Sequence, residues 1–248
     1  MKKPVVKILS ISLCVLLALG GIGGTVYAMG VSTDAASPDA APVDSGAEST
    51  APKTSSSYDP DAGRNVKDET VYVLASADGS VQKIIVSDWI QNALGSDAID
   101  DVTQLTGIEN VKGNESYTMG GNNSCVWNAK GNDIYYQGNL DKELPVDVMV
   151  SYMLDSQPIA PAELAGKSGR VTIRFDYTNN QYEMVAINGR QAKVYVPFAM
   201  LTGLILDNDV FTNVSVTNGK IMNDGDRTIV AGLAFPGLQE SLGLDRDT

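Results

Sequence analysis

Glu143 to Asn179 reads ELPVDVMVSYMLDSQPIAPAELAGKSGRVTIRFDYTN, and two alternating runs within it decide the fold class. Val146, Val148, Val150, Tyr152 and Leu154 share one side of a period-2 pattern, with Asp147, Met149, Ser151, Met153 and Asp155 on the other. Strand side chains alternate between faces, so the pattern predicts a half-buried strand with a mildly apolar second face. Val171, Ile173, Phe175 and Tyr177 repeat the signal against Arg170, Thr172, Arg174, Asp176 and Thr178. β-branched and aromatic residues dominate both runs, as suits a pleated, half-buried surface. One apolar face per strand fits an antiparallel sheet better than a parallel one, whose strands are apolar on both faces.

The link from Ser156 to Gly169 is too long for a tight hairpin, so the two strands need not be neighbours. Pro161 can open a short helical turn, Ala162 to Ala165 continue it, and Gly166 provides a left-handed stop. Gly166-Lys167-Ser168 matches the end of a phosphate-binding loop. That loop also needs glycine where Pro161 stands, and a helix where a strand follows. A glycine-rich turn into a strand is the better reading.

Upstream, Val71, Val73 and Ala75 alternate, Ala77-Asp78-Gly79-Ser80 turns, and Val81 to Ser87 alternates again. An Asp-Gly between two such runs is a strong hairpin signal. Ser87 to Gly95 reads as a short helix, capped by Ser87 or Asp88 and stopped by Gly95. Ser96 to Asn139 is polar and rich in Gly and Asn, with weak strands at Cys125–Trp127 and Asp133–Tyr136. Trp127, Tyr135 and Tyr136 are the candidate ligand residues, as a sugar-stacking platform; aromatics near β-turns are also common core plugs.

Downstream, Tyr182–Ile187 and Gln191–Phe198 flank Asn188-Gly189-Arg190, a second hairpin signal. Met200–Leu206 is apolar and of ambiguous type. Val210–Thr217, Lys220–Met222 and Arg227–Phe235 read as short strands separated by Asn218-Gly219 and Asp224-Gly225. Short strands with such punctuation predict a mainly β chain: an antiparallel β-sandwich, immunoglobulin-like or similar, with one or two short helices. The β-rich region is expected over residues 67–248, with a possible division into 67–139 and 140–248.

The N-terminus has another character. Lys2, Lys3 and Lys7 precede an apolar run from Ile8, and Val26-Tyr27-Ala28 offers small residues before a cut. Residues 1–28 therefore read as a secretory signal peptide. The alternative is an uncleaved anchor, since Ile8 to Met29 is long enough to span a bilayer and Gly20 and Gly24 have helix-dimer spacing. A lipoprotein site fails because Leu13 precedes Cys14. Residues 29–66 are rich in Ala, Ser, Pro and Asp and too poor in large apolar groups to offset the entropy of ordering, which predicts a disordered acidic linker. Asp59, Asp61 and Asn65 make only a poor calcium loop, with the glycine one place early and no bidentate Glu. The localisation expected is extracellular or cell-surface, or membrane-anchored at the N-terminus.

The formal charge is −12 over 248 residues, and −15 once the three leader lysines are removed. Such a chain is repelled by nucleic acid and by anionic membrane surfaces, so the expected partner is an envelope protein or glycan, with no nucleic acid. There is no histidine, which removes Ser-His-Asp and Cys-His catalysis and His-ligated zinc. Cys125 stands alone after the leader, leaving no internal disulfide and no Cys-rich metal site; it reads as a small buried hydrophobe. No catalytic residue, metal site or cofactor is expected. The thirty acidic residues single out no carboxylate pair of the kind a glycosidase needs.

Lys67-Asp68-Glu69-Thr70-Val71-Tyr72-Val73, Asp78-Gly79-Ser80-Val81 and Ile84-Ile85-Val86 resemble the start of the extracellular part of a group of Gram-positive, Clostridia-like membrane-associated proteins. These are the relatives of the Pip type, whose later regions carry Leu-x-x-Gly heptads and a membrane helix. Ile134 to Gly138, Glu143 to Val146, Leu164 to Gly169 and Phe235 to Leu242 are similar to the same group. The resemblance spans most of Lys67 to Leu244, rests on structural motifs and implies no active site. Heptads and a C-terminal membrane helix are missing here, so the chain is expected to be either a fragment or a short secreted relative.

The function expected is that of a non-catalytic secreted or cell-surface β-domain with an interaction or structural role at the bacterial envelope. A carbohydrate-binding module is the alternative, and a carboxylate-based hydrolase a third reading.

Overall fold

A computed structural model describes residues 64–187 and 189–244, together with the backbone of two N-terminal strands. Those strands are β1 (Leu13–Leu19) and β2 (Val26–Val31). They fall within the expected leader and across its cleavage point; the rest of the leader and nearly all of the linker lie outside the described residues.

The chain is mainly β, and its centre is a hairpin of β3 (Val66–Ala75) and β4 (Val81–Gln91). The turn is built as its Asp-Gly demands. Asp78 Oδ1 accepts from Ser80 N at 3.0 Å and from the Ser76 hydroxyl at 2.7 Å. Gly79 adopts φ +93°, where a Cβ would collide with the Val148 carbonyl. The tip is pinned to the facing sheet: Val150 N donates to Asp78 O (2.9 Å) and the Tyr152 hydroxyl to Ala77 O (2.8 Å).

β5 (Ile99–Val102), β6 (Thr106–Asn110), β7 (Tyr117–Met119), β8 (Ser124–Trp127) and β9 (Ile134–Asn139) follow. β9 pairs with β4, β6 edges the large sheet beyond β9, and β5, β8 and β7 form a small separate sheet. β10 (Val146–Leu154) continues through the two-residue β11 (Gln157–Pro158) and a 3-10 turn at Pro161–Glu163 into β12 (Val171–Asn179). β10 and β12 are direct antiparallel neighbours, with Val146 opposite Asn179 and Val150 opposite Phe175. The long link loops out and returns, because Asp155 and Ser156 take left-handed φ values and reverse the chain at once.

β13 (Tyr182–Ile187) and β14 (Arg190–Tyr195) form the second expected hairpin. β15 (Phe198–Asp207), β16 (Gly219–Asp224) and β17 (Arg227–Ala234) complete the strands, and α1 (Leu238–Leu242) closes the described chain. The large sheet runs β16-β17-β15-β1-β2-β3-β4-β9-β6 and faces the β11-β10-β12 sheet. Val146, Val148, Val150 and Tyr152 meet Val71, Val73, Ile84 and Val86, while Ile173 and Phe175 pack on Leu204, Leu206 and Val230. The pairing is antiparallel throughout except between β2 and β3, which run parallel, and the two facing layers give the sandwich arrangement that the alternation predicts.

Two expectations need correction, and one open reading is resolved. Ser87–Gly95 is not helical: β4 continues to Gln91, because Asp88 and Ile90 extend the inward series of Ile84 and Val86. Val210–Thr217 forms no strand but a looped segment whose Phe211 and Val214 pack on the core. Met200–Leu206 was ambiguous because β15 is apolar on both sides, with Phe198, Met200, Leu204 and Leu206 inward and Leu201 and Ile205 outward.

Candidate functional site

The inner face of β3 changes character along its length. Val71, Val73 and Ala75 are core, whereas Glu69 and Lys67 occupy the same face one and two steps earlier. Register then assembles a polar row across three strands, with Glu69 opposite Asp88 on β4 and Asp88 opposite Tyr136 on β9. Asp101, inward-facing on β5, comes down onto this row from the small sheet.

Lys67 Nζ is the hub. It lies 2.9 Å from Asp101 Oδ1, 3.1 Å from Asp88 Oδ2 and 2.7 Å from the Tyr136 hydroxyl. That hydroxyl donates to Asp101 Oδ2 at 2.5 Å. Of these side chains Lys67 keeps 28% exposure, Asp101 7% and Asp88 1%. Both Asp101 oxygens are occupied; Asp88 Oδ1 is buried without a hydrogen-bond partner.

Burial works against the Lys67 ammonium, but the charge of Asp88 and the hydrogen bond and charge of Asp101 together outweigh it and hold its pKa above the ordinary value. Glu69 is raised, first by burial and then by the negative charge of Asp88. The Tyr136 phenol is driven strongly upward by burial and by its two carboxylate neighbours, so it stays a donor. The cluster thus holds acids, an amine and a fixed proton donor in an environment of low dielectric, where their interactions are strong.

A cavity of about 330 Å³ opens along this edge, lined by Lys67, Glu69, Leu105, Lys142 and Glu143 among others. A second, of about 280 Å³, reaches Lys67, Ile90, Asp100 and Asp101. Among the described residues, no three His, Cys, Asp or Glu side chains are arranged to hold a metal ion.

The structure does not bring Trp127, Tyr135 and Tyr136 together as a platform. Trp127 and Tyr136 are 0% exposed, with ring centroids 5.0 Å apart, in a cluster with Ile90, Ile99, Cys125 and Ile134. Tyr135 points the other way, stacked on Trp89 (5.5 Å, 10°) and covered by Lys112 Nζ at 4.2 Å from its centroid. Consecutive strand residues face opposite sides, so Tyr135 and Tyr136 could not share a surface. The same alternation was the available signal for the charged cluster: Lys67 and Glu69 are in phase with Val71 and Val73, and Asp88 with Ile84, Val86 and Ile90. Reading Asp88 as a helix cap hid it. Cys125 is buried, and its thiol is pushed up to about 11 by burial and the Asp101 charge.

The C-terminal strands carry a second feature, an apolar outer face. Leu201 on β15 lies directly opposite Leu233 on β17, and Ile205 opposite Ile229, which in turn faces Met222 on β16. Leu201 is 46% exposed and Leu233 56%, with Ile205 and Met222 in the same condition. An outer sandwich face is normally polar.

Comparison with known protein families, with curated proteins and with solved structures finds no match to this chain.

Proposed function

We propose that this chain is an exported, non-catalytic β-domain that binds another envelope component through the outer face of its C-terminal strands. The observation that carries the reading is the row of Leu201, Ile205, Leu233 and Met222, aligned by strand register and standing in water. A contiguous apolar patch of this kind marks an interaction surface more often than a free one. β16 lies at the end of its sheet, so its outward backbone groups can extend the contact by strand pairing. The leader-like N-terminus and the net negative charge suit an extracellular setting and a partner other than nucleic acid. The glycan alternative loses support, because two of its three rings are core.

The test is retention of envelope components on the immobilised protein, compared with a Leu201→Lys/Leu233→Lys variant. A defined component held by the parent and lost by an equally stable variant is expected. An empty parent column, or equal retention by both proteins, removes the proposal.

A further inference from the structure

The Lys67 cluster contains everything needed to join two side chains covalently, and we propose that Lys67 and Asp88 condense to an amide that cross-links β3 to β4. The two residues are diagonal neighbours on the inner face of the hairpin, since Lys67 pairs with Ile90 and Glu69 with Asp88. Nζ stands 3.1 Å from Asp88 Oδ2, one bond from the carbon it attacks. Holding reactants at such separation replaces a bimolecular encounter by an effective concentration far above any in solution.

Asp88 is the acyl partner because its situation is the less stable. It keeps 1% exposure, and its Oδ1 has no partner. A buried carboxylate oxygen without a hydrogen bond is costly, and a neutral carbonyl in the same place is much less so. Asp101 is the proton carrier. Its Oδ1 accepts from Nζ at 2.9 Å, while its Oδ2 is fixed by the Tyr136 hydroxyl at 2.5 Å. Those contacts engage both of its oxygens, where Asp88 leaves one without a partner.

The step balances without any further reactant. Asp101 takes one proton from the ammonium, and the freed nitrogen lone pair attacks Asp88 Cγ. The Cγ–Oδ2 bond then breaks, and that oxygen leaves as water with the proton held by Asp101 and a second from the nitrogen. One positive and one negative charge disappear, one C–N bond replaces one C–O bond, and Asp101 is regenerated. The cavity bordered by Lys67, Ile90 and Asp101 gives the water a way out.

Intact-mass spectrometry of the purified full chain tests this directly. The expected mass is one water below that of the sequence, with a branched peptide joining Lys67 to Asp88 after digestion. Asp88→Asn should form the same amide by losing ammonia. Lys67→Arg, and Asp101→Asn shown to be folded by circular dichroism, should keep their full masses. A parent protein at full mass overturns the proposal whatever the variants do. So does a lost water that maps to a succinimide at Asp78-Gly79 or Asp224-Gly225, or a link that maps to Asp101.

Discussion

Replacing Trp127 by Ala separates a core residue from a ligand platform. Its side chain is fully buried, and a tryptophan in such a place covers roughly 200 Å² of apolar surface, worth about 5 kcal/mol at about 25 cal/mol per Å². Large-to-small changes at buried aromatics cost about 3–5 kcal/mol. The indole N–H is buried without a hydrogen-bond partner, so its removal returns about 1 kcal/mol. The balance is a loss of about 2–4 kcal/mol, or a fall in Tm of about 4–16 °C for a domain of this size. Urea and thermal unfolding measure it, and the chain's two tryptophans provide an optical check. With Trp89→Phe, the remaining Trp127 emission should be blue-shifted and poorly quenched by acrylamide until unfolding. Trp127→Phe keeps an aromatic ring in the cluster with Tyr117 and Tyr136 and discards the orphan N–H, so it should stay within about 1 kcal/mol of the parent. A Trp127→Ala protein that melts with the parent, or a lone Trp127 quenched as free indole is, would refute the placement and reopen the sugar-stacking reading.

The other expectations concern the hairpin tip, a titration and a thiol. Gly79→Ala meets both a positive φ and the Val148 carbonyl. It should cost clearly more than the about 1–2 kcal/mol of an unfavourable φ alone, which is what Gly225→Ala, at φ +63° in open space, should cost; equal losses by chemical denaturation would rule out the clash. Glu69 has a raised pKa in the folded state, chiefly through burial, so folding binds its proton. Its contribution is then most favourable below the unfolded carboxylate pKa and is lost as pH rises through the folded value. Glu69→Gln should therefore flatten the stability difference between pH 4 and pH 7, and an unchanged difference would dismiss the assignment. Cys125 is buried with its thiol pushed up to about 11, so it should resist alkylation at pH 8 until denaturant is added; rapid labelling of the native protein would place it at the surface.

Alternation made most of this architecture legible. The strands around Asp78-Gly79 and the two strands of Glu143–Asn179 could be read because each carries one apolar face, whereas Tyr182–Ile187, exposed along its whole length, was legible only through the Asn-Gly that follows it. The failures occurred where two signals competed. At Ser87–Asp88 a good helix cap stands inside a strand, and the long-range pairing of β4 with β3 and β9 overrides the local preference. In β15 both faces are apolar, so period 2 is hidden although the strand is real. Val210–Thr217 alternates well enough to suggest a strand, yet its side chains cap the end of the core. The left-handed φ at Asp155 and Ser156 turns the chain into β11, on the opposite edge of β10 from β12, and neither residue type announces that reversal strongly.

The charged cluster and the outer apolar face are the same departure seen from opposite sides of the large sheet. A strand that buries one face is expected to put polar residues outside and apolar ones inside. β3 and β4 invert that rule inward with Lys67, Glu69 and Asp88, and β15 and β17 invert it outward with Leu201, Ile205 and Leu233. Neither inversion serves the stability of the isolated domain. Desolvating an ion pair costs about as much as the pair returns, and leaves Asp88 Oδ1 unpaired, while exposed leucines forgo burial worth about 1.5–3 kcal/mol each. Each inversion therefore points to a later event that recovers the cost. For the inner cluster that event is amide formation, which removes two charges at once. For the outer face we propose a partner that covers the row, so Leu201→Lys should leave thermal stability nearly unchanged while abolishing retention of the partner. A Leu201→Lys protein that loses more than about 2 kcal/mol would instead mean that this face is packed within the domain, and the two inversions would then need separate explanations.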